Sequence, residues 1–154
     1  MKMSYEKQIK PVELLLVEDN LGDVRLTIEA LKESKLLNNL NVVEDGIAAM
    51  DFLKKKGKYR GKPRPDLILL DLNLPKKDGR DVLAEIKKDD NFKRIPVVIL
   101  TTSQADEDIM KTYNLGANCY VTKPMNIEQF IKVVKSIGNF WFTIVKLPPN
   151  GNQL

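Results

Sequence analysis

Short apolar segments alternate with amphipathic segments five times along the chain. Apolar residues largely follow one another in these short segments, which is typical of strands that are covered on both faces of a sheet. The five candidate strands are Val12–Val17, Leu40–Val43, Leu67–Leu70, Val97–Leu100 and Cys119–Val121.

The segments between the strands carry apolar residues three and four positions apart, which predicts amphipathic helices. These stripes are Val24, Ile28, Leu31; Ile47, Met50, Leu53; Val82, Leu83, Ile86; and Ile127, Phe130, Val134, Ile137. Asp78 is a candidate N-cap, and Gly116 is a candidate C-terminal stop for the helix before it. Repeated βα units predict a doubly wound α/β fold of the flavodoxin-like kind, a three-layer sandwich with a parallel sheet in the order 2-1-3-4-5.

The length of 154 residues suits a single hydrophobic core. We expect one domain over residues 1–147 that ends in an extended helix, and a flexible tail over 148–154. The chain opens with no secretory leader and has no apolar run near the roughly 20 residues that cross a bilayer. These features predict a cytoplasmic protein that does not associate with membranes.

The composition excludes several kinds of chemistry. The chain has no His, so it cannot form a Ser-His-Asp triad, use an imidazole base, bind a metal through His or carry a phosphohistidine. Its single Cys, Cys119, excludes an intramolecular disulfide and Cys-x-x-Cys sites, which fits a reducing compartment.

The formal net charge of +4 arises from one cationic loop. Without its seven cations the charge becomes −3; they are Lys54, Lys55, Lys56, Lys58, Arg60, Lys62 and Arg64. Nucleic-acid binding would favour a recognition helix or stacking aromatics, but only Tyr59 lies among these cations, and Gly and Pro interrupt the segment. We therefore expect a solvated loop and no nucleic-acid partner, with docking to an acidic partner as the second interpretation.

Polar side chains follow four of the predicted strands. Glu18–Asp19 follow the first, Asp71 the third, Thr101 the fourth and Lys123 the fifth. Any one of them alone would be an ordinary loop residue, cap or surface charge. Together they should meet at the carboxyl edge of the sheet, where open parallel sheets bind ligands.

Clustered carboxylates repel one another and need a counter-ion, and hard oxygen donors without His or Cys favour Mg²⁺. A carboxylate beside Mg²⁺ can act as a nucleophile toward phosphorus. Asp71 is the best candidate because it lies centrally. Lys123 could then balance phosphoryl charge, and Thr101 could hydrogen-bond a phosphoryl oxygen.

Over roughly residues 12–137 the sequence resembles the receiver domain of two-component response regulators. The matching motifs are Val-Glu-Asp-Asn (17–20), Leu-Leu-Asp-Leu-Asn-Leu-Pro-Lys-Lys-Asp-Gly (69–79), Ile-Leu-Thr-Thr-Ser (99–103) and Tyr-Val-Thr-Lys-Pro (120–124). The resemblance implies that Asp71 is the phosphoacceptor and that Asp19 binds Mg²⁺ directly. It also implies that Glu18 supports the metal through water and that Asn73 contributes its backbone carbonyl.

The same resemblance implies a switch at the neighbouring strands. Thr101 would be the switch hydroxyl, Tyr120 the switch aromatic and Lys123 the phosphate-binding ammonium, with a cis peptide between Lys123 and Pro124. Two features depart from the family pattern. The position after the switch Thr is usually small and here is Thr102, and the stretch between the second helix and third strand is long.

Longer motifs are similar to the stand-alone regulators of bacterial and cyanobacterial phytochrome histidine kinases. They are residues 23–31, 63–75 and 117–124 and the Phe-Trp-Phe segment at 140–142. This similarity implies a sensor histidine kinase of the phytochrome type as phosphoryl donor. We also expect no output domain, because few residues remain after the last predicted helix. The expected output is therefore contact with a downstream protein that the sequence does not identify.

An apolar stripe in the last predicted helix continues beyond the expected end of the sheet. The second half of this stripe has little to cover in a monomer, and such surfaces usually mark interfaces. We predict a two-fold homodimer through Phe140, Trp141, Ile144 and Val145, with residues 113–118 or Tyr120 nearby.

The sequence thus predicts a single-domain response regulator, not an enzyme, that accepts a phosphoryl group on Asp71 and switches an interaction surface. Two alternatives remain open: an interaction module that works without phosphorylation, and a Mg²⁺-dependent phosphatase with an Asp nucleophile. The phosphatase would want a second carboxylate two residues after Asp71, where the chain has Asn73. A flavin or nucleotide binder is disfavoured because Glu-Asp-Asn after the first strand would repel phosphate.

Overall fold

Five parallel strands form one sheet in the computed structural model, which describes residues 11–33, 37–102, 106–117 and 119–123. The strands are β1 (Val12–Val17), β2 (Asn38–Val43), β3 (Leu67–Leu70), β4 (Val97–Thr101) and β5 (Cys119–Thr122). Their order is β2-β1-β3-β4-β5, and every neighbouring pair is parallel. The predicted fold class and sheet order are therefore confirmed.

Helices cover both faces of the sheet. They are α1 (Leu21–Glu33), α2 (Gly46–Leu53), α3 (Gly79–Lys88) and α4 (Asp106–Asn114), and a 3-10 turn at Gly57–Tyr59 lies between α2 and β3. Successive strand residues enter different cores: Leu15 packs in a cluster with residues of α2 and α3, whereas Leu14 and Leu16 pack in a cluster with residues of α1. The strands are apolar throughout because both of their faces are buried.

One predicted stripe is wrong in part, because Ile47 does not join the core. Its side chain is 48% exposed, whereas Ala49 and Met50 are buried. The buried face of α2 runs through Gly46, Met50 and Leu53, which are four and three residues apart. Ile47 lies one position, or about 100° of helix rotation, away from that face.

Gly79 lets α3 approach the segment that follows β3. A Cβ atom at this position would lie 2.2 Å from the carbonyl oxygen of Asp71, closer than real contacts allow. The Gly79 amide donates a hydrogen bond to the Leu72 carbonyl at 2.8 Å, and Asp78 is the N-cap, as predicted, accepting from the Arg80 amide at 2.8 Å. Local sequence therefore holds the Asp71 segment against the first turn of α3.

The cationic loop at residues 54–64 is largely exposed, as predicted. It is anchored by the Tyr59 ring, which packs against Phe52 with ring centroids 5.5 Å apart. Lys54 pairs with Glu85 at 3.0 Å, and the Arg64 guanidinium donates to the backbone carbonyl of Asn91.

None of the helices in the described ranges has the length and apolar character that a bilayer crossing requires. The predicted extended C-terminal helix and the tail at 148–154 lie outside the described residues, so both stay predictions.

Candidate functional site

The carboxyl edge of the sheet brings together the strand-end side chains that the sequence predicts. Glu18–Asp19 follow β1, Asp71 follows β3 and Lys123 follows β5. Sheet hydrogen bonding continues past the strands, since the Asp71 amide donates to the Val17 carbonyl at 3.1 Å and the Lys123 amide to the Thr101 carbonyl at 2.6 Å. The backbone ladder therefore sets the positions from which these side chains extend.

Three carboxylates form a cluster at this edge. One oxygen from each of Glu18, Asp19 and Asp71 lies within 4.8 Å of the others. Glu18 and Asp71 are 3% and 7% exposed, whereas Asp19 is open to solvent. This set of hard oxygen donors, partly buried and open on one side, fits a divalent cation that keeps some of its water ligands.

Lys123 is a buried cation, 5% exposed, beside the cluster. Its Nζ lies 2.5 Å from Glu18 Oε1 and 2.7 Å from Asp23 Oδ2, but 3.7 Å from Asp71 Oδ2. Three carboxylates from different parts of the chain thus share one ammonium group, which offsets part of their repulsion.

The two buried charges of this network are shifted in the same direction. Burial raises the pKa of Glu18 to about 7, although its hydrogen bond from Lys123 opposes the rise; the charge of Asp71 adds to it. Burial alone would lower the pKa of Lys123, but its hydrogen bonds to Asp23 and Glu18 and the charge of Asp71 raise that pKa overall. A cation that entered the site would lower the pKa of Glu18 again, because a nearby opposite charge favours the carboxylate.

The other predicted site residues lie around Asp71. The Asn73 amide donates to Asp71 Oδ1 at 3.2 Å, and the Asn73 side-chain amide contacts Thr101 Oγ1 at 3.4 Å. Thr101 is fully buried, whereas Thr102 is exposed. Tyr120 is half-buried and packs against the core cluster that includes residues of α2 and α3.

The geometry brings these residues together, while their chemical roles, including the Asn73 carbonyl as a metal ligand, stay predictions. Pro124 lies outside the described residues, and so does the predicted cis peptide that precedes it. The predicted dimer residues also lie outside: Phe140, Trp141, Ile144 and Val145.

Sequence reasoning missed Asp23 as a member of the site. This residue lies in the first turn of α1, four positions after Asp19, so an acidic residue at this spacing was the available signal. It also missed Arg80, whose guanidinium joins α3 to Asp108 of α4 with Nε–Oδ1 and Nη2–Oδ2 distances of 2.9 and 2.7 Å.

Comparison with known proteins identifies the family. The family model described as response regulator receiver domain matches residues 14–135. Response regulator Rcp1 of Synechocystis sp. is 53% identical over 138 residues, which cover 90% of this chain and 94% of that protein. The crystal structure of the phosphorylated cyanobacterial phytochrome response regulator RcpA has a TM-score of 0.85 at 51% identity, covering 91% of this chain and 100% of that one. The Mn²⁺-bound form of Rcp1 has a TM-score of 0.83 at 52% identity, covering 90% and 100%. The chain belongs to the response regulator receiver domain family.

Proposed function

We propose that this chain is a stand-alone response regulator that accepts a phosphoryl group on Asp71 from a sensor histidine kinase. The observation that carries the proposal is the group formed by Glu18, Asp19, Asp71 and Lys123 at the carboxyl edge of the sheet. Family membership supports the general activity, and the closeness of these side chains supports the proposal that they take part in it.

Asp71 is the proposed nucleophile. One of its carboxylate oxygens would form a bond to phosphorus as the N–P bond of the kinase phosphohistidine breaks, and the leaving imidazole would take up a proton from water. The Asn73 amide, which donates to Asp71 Oδ1, holds the carboxylate in place. The chain has no His, so the phosphohistidine has to come from another protein.

Glu18, Asp19 and Asp71 would hold a divalent cation, and Mg²⁺ is our proposal for the resident ion. Rcp1 has been crystallised in a Mn²⁺-bound form. When bound, such a cation neutralises phosphoryl charge during transfer. The carboxylates contribute by placing their oxygens within 4.8 Å of one another before the ion arrives.

Lys123 and Thr101 would respond to the phosphoryl group. The ammonium of Lys123 is already buried next to Asp71, and the Thr101 hydroxyl is buried on the neighbouring strand. Movement of both toward the phosphoryl oxygens would shift the ends of β4 and β5 and the surface near Tyr120. Output would then be contact with a downstream protein.

The donor that we propose is a phytochrome-type histidine kinase, because RcpA is described as a cyanobacterial phytochrome response regulator. We place the protein in the cytoplasm and regard it as a signalling receiver rather than an enzyme acting on other substrates. A phosphorylation-independent interaction module is the alternative. The buried Lys123 among carboxylates favours the phosphorylation-dependent function, because buried clusters of charged groups are costly to desolvate and are typical of functional sites.

Acetyl phosphate with Mg²⁺, followed by intact mass measurement, tests phosphoryl acceptance. We expect the wild type to gain the mass of one phosphoryl group and Asp71→Asn to gain none. Asp90→Asn is the matched control, because its side chain is 89% exposed in a surface ion pair with Lys93; this variant should label like the wild type. Labelling of Asp71→Asn, or none of the wild type, would defeat the proposal.

The kinase assignment needs a separate experiment. A purified phytochrome histidine kinase that has autophosphorylated with radiolabelled ATP should pass its label to the wild type and leave Asp71→Asn unlabelled. If a non-phytochrome histidine kinase labels the chain much faster under equal conditions, the phytochrome assignment is wrong while the receiver function stands.

A further inference from the structure

Lys123 lies closer to two other carboxylates than to Asp71. Its Nζ atom is 2.7 Å from Asp23 Oδ2 and 2.5 Å from Glu18 Oε1, both hydrogen-bond distances. Its distance of 3.7 Å to Asp71 Oδ2 is too long for a hydrogen bond. We propose that Asp23 is a positioning residue that holds Lys123 away from Asp71 until a phosphoryl group arrives. The inference rests on the proposed phosphoryl acceptance at Asp71.

Asp23 is well placed for this role because its backbone is held at the start of α1. The Asp23 amide donates to Asn20 Oδ1 at 3.0 Å, and the Thr27 hydroxyl donates to the Asp23 carbonyl at 2.8 Å. Thr27 is 2% exposed, so the contact is part of the α1 packing. The Asp23 carboxylate therefore binds Lys123 from a fixed position on α1, whereas Asp71 follows β3.

A phosphoryl group on Asp71 would compete with Asp23 for Lys123. The ammonium has three donors, and the two directed at Glu18 and Asp23 hold Nζ at 3.7 Å from Asp71 Oδ2. Only one donor is left for a phosphoryl group, so a second hydrogen bond to it would have to replace one of these two. Glu18 is almost completely buried, so losing its partner would leave a charge without solvent. The Asp23 side chain is 34% exposed and can be rehydrated when it is released. Asp23 is therefore the partner that Lys123 gives up at the lower free-energy cost.

The hydrogen bond to Asp23 lowers the free energy of the unphosphorylated state, in which Lys123 is held away from Asp71, relative to that of the phosphorylated state. Without the Asp23 charge, Lys123 loses a partner in the resting state and is free to turn toward the phosphoryl group. The Asp23→Asn variant should therefore bind a phosphoryl mimic more tightly than the wild type.

Beryllium trifluoride, which mimics a phosphoryl group on a carboxylate, is the probe, titrated by calorimetry at saturating Mg²⁺. We expect Asp23→Asn to bind it about three- to tenfold more tightly than the wild type, a gain between the contribution of an exposed ion pair and that of a buried charged hydrogen bond. Asp81→Asn is the matched control, since Asp81 is an exposed acid in the first turn of α3. Its affinity should equal that of the wild type. Circular dichroism checks that each variant folds.

A double-mutant cycle shows whether Asp23 acts through Lys123. In a Lys123→Gln background the gain from Asp23→Asn should vanish, and an equal gain there would mean that Asp23 acts by net charge alone, which overturns the inference. Unchanged or weaker binding of the mimic by Asp23→Asn overturns the inference as well. If Lys123→Gln binds the mimic too weakly to measure, this comparison of Asp23→Asn with the wild type is the deciding test. A wild type that binds no mimic would instead defeat the proposed function, and this inference with it.

Discussion

The bidentate ion pair between Arg80 and Asp108 ties α4 to α3, and removing it tests how firmly the helix that follows β4 is held. Nε and Nη2 of Arg80 lie 2.9 and 2.7 Å from the two oxygens of Asp108. Nη1 also lies 3.2 Å from both oxygens of Asp78, the N-cap of α3. The perturbations are Arg80→Met, Asp108→Asn and the two together.

The exposure of the pair sets the expected magnitude. The side chains of Arg80 and Asp108 are 19% and 20% exposed, so solvent screens their attraction only in part. Exposed pairs contribute about 0.2–1 kcal/mol, whereas loss of one partner from a buried pair costs about 3–5 kcal/mol. For this intermediate, bidentate pair we expect a coupling energy of about 1–2 kcal/mol. Arg80→Met should cost more than Asp108→Asn, because Arg80 also contacts Asp78.

Urea unfolding of the four proteins gives the coupling energy from the double-mutant cycle. A second cycle on the exposed pair Lys93–Asp90 is the control and should give less than about 0.5 kcal/mol. Hydrogen exchange should also become faster in the amides of α4, with β1 little affected. A coupling energy for Arg80 and Asp108 no larger than that of the control pair would refute the reasoning.

Three further predictions follow from the contacts and the sequence. Gly79→Ala should lower the free energy of unfolding by about 2–3 kcal/mol, because the added Cβ would meet the Asp71 carbonyl. Gly61→Ala, where nothing lies within 4 Å of the added Cβ, should change it by less than about 0.5 kcal/mol. Urea unfolding measures both variants, and equal effects would contradict the close approach at Gly79. Hydrogen bonds from Lys77 and Lys54 hold the pKa of Glu85 below its ordinary 4.5. The difference in unfolding free energy between the wild type and Glu85→Gln should therefore be constant above pH 4.5 and disappear as the pH falls through the lower folded-state pKa. Denaturant unfolding across acidic pH measures this difference, and a difference that does not change with pH would contradict the prediction. Trp141→Ala should shift the predicted homodimer toward monomer in sedimentation experiments, and a wild type that is monomeric at high concentration, phosphorylated or not, would remove the dimer prediction.

The fold and much of the site could be predicted from the strands, because a strand buried on both faces is apolar at nearly every position and is easy to locate in the sequence. Leu67–Leu70 is apolar throughout and is fully buried as β3, so the acid directly after it had to lie at the carboxyl edge. Helix faces are less determinate. Ile47 fits an apolar stripe as well as Gly46 does, but only the packing of α2 reveals that Gly46 faces inward.

The contacts that sequence reasoning missed depend on how helices are placed relative to the sheet. Asp23 reaches Lys123 across a separation of 100 residues, and Arg80 reaches Asp108 across 28. In the sequence, Asp23 and Asp108 look like ordinary helix residues, since acidic residues are favoured in the first turn of any helix. Their partners follow only from the position of α1 against the sheet and of α4 against α3, which local periodicity does not encode.

The charge balance of the site suggests an order of events for the proposed phosphoryl transfer. The Lys123 ammonium is shared by Glu18, Asp23 and Asp71, and Asp19 adds a fourth carboxylate next to Glu18 and Asp71. Negative charge therefore prevails even when the pKa of Glu18, raised to about 7, leaves it partly protonated. A phosphoryl donor is itself an anion and would be repelled by this group. Glu18, Asp19 and Asp71 would hold a divalent cation, whose charge would offset that repulsion. After the proposed transfer, the new negative charge would lie beside Lys123 and would compete with Asp23 for its hydrogen bonds. The same carboxylates that would bind the cation would thus also hold Lys123 in its resting position, so that the proposed switch would not move without phosphorylation.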